Sequence, residues 1–129
     1  MSTTTVISTD KAPAAIGTYS QAVATGQLVF ISGQIPLDPE SMTLVSDDVT
    51  AQTRQVFDNL AAVAEAAGGS LNDLVKLTVY LLDLGNFQIV NEVMAERFSE
   101  PYPARAAIGV AGLPKDAAVE VEAIMVIPG

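Results

Sequence analysis

PARAAIGVAGLPKDAAVEVEAIMVI, residues 103–127, reads as two strands joined by a turn. In the first, Ala104, Ala106, Ile108 and Val110 alternate with Arg105, Ala107 and Gly109. Side chains alternate faces along a strand, so the pattern predicts one apolar face and one carrying Arg105. Gly112, Pro114, Lys115 and Asp116 supply turn chemistry. In the second strand Val119, Val121, Ala123 and Met125 form an apolar face. Glu120 and Glu122 open the opposite face, which continues as Ile124 and Val126. With both apolar faces on one core, Arg105 and Glu120 are expected together on the other side of the sheet.

Outward from this stretch, residues 74–82 predict another strand, with Val75, Leu77, Val79 and Leu81 on one face and Lys76, Thr78 and Tyr80 on the other. Residues 49–67 predict a helix capped by Asp47 or Asp48. Its apolar stripe is Val49, Val56, Leu60, Val63 and Ala67, with Phe57 beside it. Arg54 and Asp58 read as an i,i+4 surface pair, and Gly68-Gly69 as the stop. A second helix opens at Gly85 or Asn86 and runs to about residue 99, with Phe87, Val90, Met94 and Phe98 as its stripe. Asn91 lies close to that stripe and needs partners, for which a loop or helix-end hydrogen bond is one reading and a site role another. Nearer the N-terminus, a hairpin turns near Thr25-Gly26, and Val6-Ile7-Ser8 is a candidate edge strand. The order predicts one α+β domain over residues 1–129, with both helices on one face of a mixed sheet. The face left bare mixes Lys76, Thr78, Tyr80, Glu120 and Glu122 with Ile124 and Val126. Such a face is expected to be buried against further copies of the chain.

Composition narrows the chemistry. A net charge of −9 with six Lys plus Arg argues against nucleic acid as the main partner. No apolar run approaches a membrane span, no membrane is expected as a partner, and no secretory signal is visible, so a cytoplasmic location is expected. With His 0 and Cys 0, a Ser-His-Asp triad, a Cys nucleophile and a His/Cys zinc site are excluded. The acidic residues show no ligand spacing, and neither a GxGxxG nor a P-loop pattern occurs. No metal is expected, and a carboxylate-only Mg site stays open without a DxD-type cluster to support it. Catalysis is left to carboxylates, Arg, Lys, hydroxyls, amides, backbone groups and water.

Four pieces stand together: Gly17-Thr18-Tyr19-Ser20-Gln21-Ala22, Ser32-Gly33-Gln34-Ile35-Pro36, Pro103-Ala104-Arg105, and Leu113-Pro114-Lys115 followed by Val119-Glu120-Val121-Glu122-Ala123. In this order and spacing the chain closely resembles the RidA/YjgF family of enamine/imine deaminases. The likeness takes in Gln52-Thr53, Asn59 and Asn91. It implies a chorismate-mutase-like α+β fold assembled as a homotrimer with clefts between subunits. It implies hydrolysis of 2-imino acids, formed from enamines such as 2-aminoacrylate, to 2-keto acids and ammonia, with no metal or organic cofactor. By motif position Arg105 binds the substrate carboxylate and Glu120 holds the attacking water. Tyr19, Ser32 and Asn91 line the cleft, and the backbone at Gly33 and Ala107 positions the ligand. Thr18 departs from the proline most members carry there, and Ala107 from the Cys of many. The loop Ser99-Glu100-Pro101-Tyr102 is short for the family.

Taken residue by residue, Arg105 also reads as a structural partner of Glu120 or Glu122, Tyr19 as packing against the hairpin, and Ser32 as a strand-end turn. An imine is already electrophilic, so seating its carboxylate, orienting water and assisting proton transfer suffice. A non-catalytic carboxylate-binding regulator would use the same Arg105 without Glu120, and a chaperone-like oligomer would use apolar surface instead. Some members of the family have been described as ribonucleases, which the acidity and missing His argue against here.

Overall fold

The computed structural model describes residues 4–128. Its strands are β1 (Thr4–Ile7), β2 (Ala22–Thr25), β3 (Leu28–Gln34), β4 (Leu74–Leu81), β5 (Ala104–Gly109) and β6 (Val119–Val126), and its helices are α1 (Val49–Ala66) and α2 (Phe87–Arg97). The strands form one sheet in the order β1-β2-β3-β6-β4-β5. Neighbours are antiparallel except β4 and β5, which run parallel because α2 carries the chain across between them. This is the expected α+β architecture, with both helices on one face of a mixed sheet. Among the described residues no helix is long and apolar enough to cross a membrane.

The core lies between that face and the helices. Val29, Leu77, Val79, Leu81, Val121 and Met125 from the sheet meet Val56, Phe57, Leu60, Val63 and Val90 from the helices, all buried. Each such side chain stabilises by about 1.5–3 kcal/mol. Phe57 meets Phe98 edge-on with centroids 5.7 Å apart, which joins α1 to the end of α2. Asp48 is the cap, its carboxylate accepting the Ala51 N–H at 2.9 Å. The helix ends at Gly68-Gly69 as expected, the Gly69 N–H donating to the Ala64 carbonyl at 2.9 Å. The first hairpin turns through Gly26, whose φ of 60° suits a residue without Cβ.

Three expectations are corrected. Arg54 and Asp58 do not pair along α1. Arg54 reaches Glu96 at 3.0 Å and Asp58 receives Arg97 at 2.6 Å, because α2 lies alongside and brings its own charges. Val75 does not join the face of Leu77, Val79 and Leu81. The register slips between Leu74 and Lys76 where β4 meets β6, and the extra residue of this bulge leaves Val75 45% exposed. Most consequentially, β5 is turned over. Its register sets Arg105 beside Leu77 and Ala107 beside Val79, so both belong to the helix-bearing face. Alanine sits on both faces of β5, so the apolar alternation there is weak. The aliphatic stem and flat guanidinium of Arg105 fit against α2 instead. Nor do β5 and β6 pair with each other, since β4 lies between them.

Among the described residues the opposite face carries no helix. Leu28, Phe30 and Val126 are 42%, 45% and 37% exposed at one end, and Ile108 is 45% exposed at the other. Lys76, Thr78, Tyr80, Glu120 and Glu122 occupy the middle. The overturned β5 therefore makes this bare face more apolar than the sequence pattern implies.

Candidate active site

Glu120 stands on the bare face of β6, two residues from Glu122 and directly across from Tyr80 of β4. Beside it β3 carries a bulge. Ile31 pairs with Ala123 and Gln34 with Val121, so Ser32 and Gly33 together face Glu122. The bulge brings the Gly33 backbone under the Glu120 carboxyl. A Cβ on Gly33 would lie 2.9 Å from Glu120 Cδ and closer still to its Oε2, so the approach requires glycine. Burial, followed by the neighbouring Glu122 charge, holds the Glu120 carboxyl above its ordinary pKa. Burial, Glu122 and then Glu120 likewise raise the Tyr80 phenol.

A hollow of about 670 Å³ opens here, with Tyr19, Ser32, Gly33, Lys115, Glu120 and Glu122 among its lining. Tyr19 is 52% exposed along its wall, so packing against the hairpin does not account for it. Ser32 Oγ donates to the Ser20 carbonyl at 2.6 Å, which is the strand-end role; towards the hollow it offers lone pairs.

Three buried amides hold the walls. Gln21 donates to the Ala12 and Pro13 carbonyls at 3.3 and 2.8 Å and accepts the Thr9 N–H at 2.7 Å. Asn59 donates to the Ile35 and Leu37 carbonyls at 3.2 and 3.1 Å, fixing the loop that leaves β3. Gln52 accepts the Ala118 N–H at 2.8 Å just ahead of Glu120. These positioning roles were not read from the sequence. For Gln52 and Asn59 the available signal was a polar residue among the apolar positions of α1, since a buried amide persists only when its hydrogen bonds are made.

Arg105 builds a separate site on the helix-bearing face. Its guanidinium lies over the Phe87 ring, 4.6 Å from the centroid, and donates to Asn91 Oδ1 at 2.5 Å. Met94 Sδ is 3.5 Å from the same nitrogen. Phe87, Asn91 and Met94 follow one another at helical spacing, so one side of α2 forms the cradle. Asn91 is exposed, not near-buried, and its partner is Arg105 rather than a loop or helix end. Ala107 adjoins Arg105, Phe87 and Leu84 around a hollow of about 400 Å³. Among the described residues no carboxylate forms an ion pair with Arg105, which removes the structural pairing with Glu120 or Glu122.

Within one chain the expected residues thus form two groups. Tyr19, Ser32, Gly33 and Glu120 meet on the bare face, while Arg105, Asn91 and Ala107 meet on the other. The expectation that Arg105 and Glu120 share a surface fails because parallel pairing with β4 sets Arg105 opposite Leu77, in the core-facing register. Among the described residues no group of three or more acidic side chains is placed to hold a metal ion.

Comparison with known proteins places the chain as a whole. The family model described as Endoribonuclease L-PSP matches residues 9–127. A RutC family protein of Pyrococcus horikoshii is 54% identical over 119 residues, 92% of this chain and 94% of that protein. The human 2-iminobutanoate/2-iminopropanoate deaminase is 46% identical over 121 residues, 94% of this chain and 88% of that one. The crystal structure of RidA from an Antarctic Psychrobacter superposes with a TM-score of 0.92 at 58% identity, covering 95% of this chain and 99% of that one. With nearly its whole length matched at such identities, the chain belongs to the Endoribonuclease L-PSP family, also known as the YjgF/RidA family.

Proposed function

We propose that the chain hydrolyses 2-imino acids to 2-keto acids and ammonia in clefts between the copies of a homotrimer. The observation that carries this reading is the separation of the two groups. An arginine with no carboxylate partner among the described residues and a half-buried glutamate of raised pKa lie on opposite faces of one sheet. They can act on one small molecule only where one copy presents Arg105 to the Glu120 hollow of the next. The half-apolar bare face supplies the surface for such an assembly. The deaminase names of the human relative and of those from mouse and Dermatophagoides farinae support the activity.

In this cleft the Arg105 fork holds the substrate carboxylate, with Asn91 fixing its orientation. Glu120 orients a water and accepts its proton as the oxygen bonds to the imine carbon. Glu120 passes that proton to the imine nitrogen to give the neutral carbinolamine, then takes the proton of the new hydroxyl as the carbinolamine collapses to the 2-keto acid. Ammonia leaves as protonated Glu120 returns its proton. The Gly33 and Ala107 backbones and the Tyr19 and Ser32 side chains bound the cleft. Atoms balance with water alone, and nothing is oxidised or reduced. A raised Glu120 pKa makes it a stronger base than a free glutamate and a competent acid once protonated.

The test is ammonia release from freshly generated 2-iminobutanoate. The unmodified protein is expected to accelerate it, and Arg105→Ala and Glu120→Gln each to lose that acceleration. Refolding the two inactive variants together is expected to restore about one quarter of the sites, because a cleft can then draw each intact half from a different copy. No recovery in mixed trimers would sink the shared cleft. A protein that binds 2-ketobutanoate without hydrolysing the imine would be a carboxylate-binding regulator.

A further inference from the structure

The short turn Pro114–Asp116 forms one rim of the hollow above Glu120. Two successive residues in it take left-handed backbone, Lys115 at φ 60°, ψ 23° and Asp116 at φ 59°. This is uncommon for any residue with a Cβ, and lysine, unlike asparagine or aspartate, gains no local hydrogen bond from it. The surroundings impose it. The Ala117 N–H donates to the Pro114 carbonyl at 3.1 Å, Ala117 is fully buried, and Gln52 grips Ala118. The chain thus keeps a long cationic side chain where glycine would fit with less strain.

The charge distribution gives that cation a task. The protein carries a net charge of −9, and Glu120 and Glu122 both line the hollow, so an anionic ligand is repelled as it approaches. Of the six cations, Arg54 and Arg97 are held by Glu96 and Asp58. Arg105 lies on the other face. Among the described residues Lys115 is the only Lys or Arg lining this hollow, and it is exposed with no carboxylate ion-paired to it.

We propose that Lys115 is the cation that captures the anionic substrate at the rim of the Glu120 hollow, acting on substrate entry and not on the chemical step. This rests on the imine-hydrolase reading of the site. Held at the mouth by its turn, the ammonium offsets the two carboxylates below and delivers the substrate's carboxylate end towards the Arg105 of the neighbouring copy.

Lys115→Gln and Lys115→Gly separate charge from backbone, since both remove the cation and only glycine relieves the strain. Turnover of 2-iminobutanoate is measured in dilute buffer and in concentrated salt, with oligomeric state checked by sedimentation. Both variants are expected to lower kcat/KM about 3–10-fold in dilute buffer through KM, with kcat little changed and the gap closing as salt screens the charge. Lys115→Arg is expected to stay near the unmodified protein, and Lys115→Glu to fall furthest. A fall in kcat at constant KM, a loss indifferent to salt, a difference between the Gln and Gly variants, or a broken oligomer would each overturn the inference. If the unmodified protein hydrolyses no imine, the hydrolase reading fails by itself. Lys115 is then judged on 2-ketobutanoate affinity by calorimetry, where salt-sensitive weakening in both variants supports capture and unchanged affinity overturns it.

Discussion

The Glu120 hollow and the Arg105 cradle are built differently. The hollow is framed by backbone. A bulge in β3, a glycine beneath the carboxyl and three buried amides hold loops that are distant in sequence. The cradle is framed by side chains, a guanidinium resting on Phe87 and steered by Asn91 of one helix. A frame of satisfied buried hydrogen bonds resists displacement, because each broken bond strands a polar group away from water. A stacked, exposed arginine keeps freedom to meet a ligand. In the proposed cleft Glu120 is therefore the preorganised half, and Arg105 the adaptable one.

The largest expected effect breaks the adaptable half. Arg105→Lys should be nearly as damaging as Arg105→Ala, each costing about 10²-fold or more in kcat/KM, because an ammonium lacks the planar fork and the fit over Phe87. Near-native turnover in the lysine variant would refute two-pronged binding. Glu120→Gln breaks the other half at its chemistry. Its kcat should fall by about 10²-fold, while 2-ketobutanoate binds almost as before in calorimetry. Equal losses of product affinity and turnover would merge the two roles.

Gly33→Ala tests whether the hollow is as rigid as its frame implies. The added Cβ meets the Glu120 carboxyl, so turnover should drop about tenfold and unfolding stability by about 1–3 kcal/mol. A variant with native activity and melting temperature would mean that Glu120 moves freely. The smallest effect concerns pH. Protonating Glu120 removes the base, so activity should fall on the acid side through a pKa above the ordinary 4.5. Glu122→Gln removes the like charge that contributes to this rise, so the acid limb should move to lower pH with little change at neutrality. A limb that stays in place would assign the whole rise to burial.

Much of the fold is legible because its signals are local. Asp47 or Asp48 and Gly68-Gly69 bound α1, with the structure choosing Asp48, Gly26 turns the hairpin, and alternation marks β4 and β6. Tyr19, Ser32, Gly33 and Glu120, each named in a sequence motif, line one hollow. The orientation of Arg105 does not. Alternation says that Arg105 and Ala106 point to opposite sides, but not which side is the core, and with alanine on both the pattern carries little weight. Arg54 shows the same limit, since its i,i+4 partner is visible along one helix while Glu96 comes from another.

By itself the sequence determined the elements, their caps and turns, the exclusion of His, Cys and P-loop chemistry, and the identity of the charged residues available to a site. Each follows from residue type and spacing along the chain. Only the tertiary structure decided that β4 lies between β5 and β6, that Arg105 rests on α2, and that Glu120 is half-buried over Gly33. The physical reason is that pairing partners and register depend on how α2 packs as it carries the chain from β4 to β5. No residue of β5 encodes that contact alone.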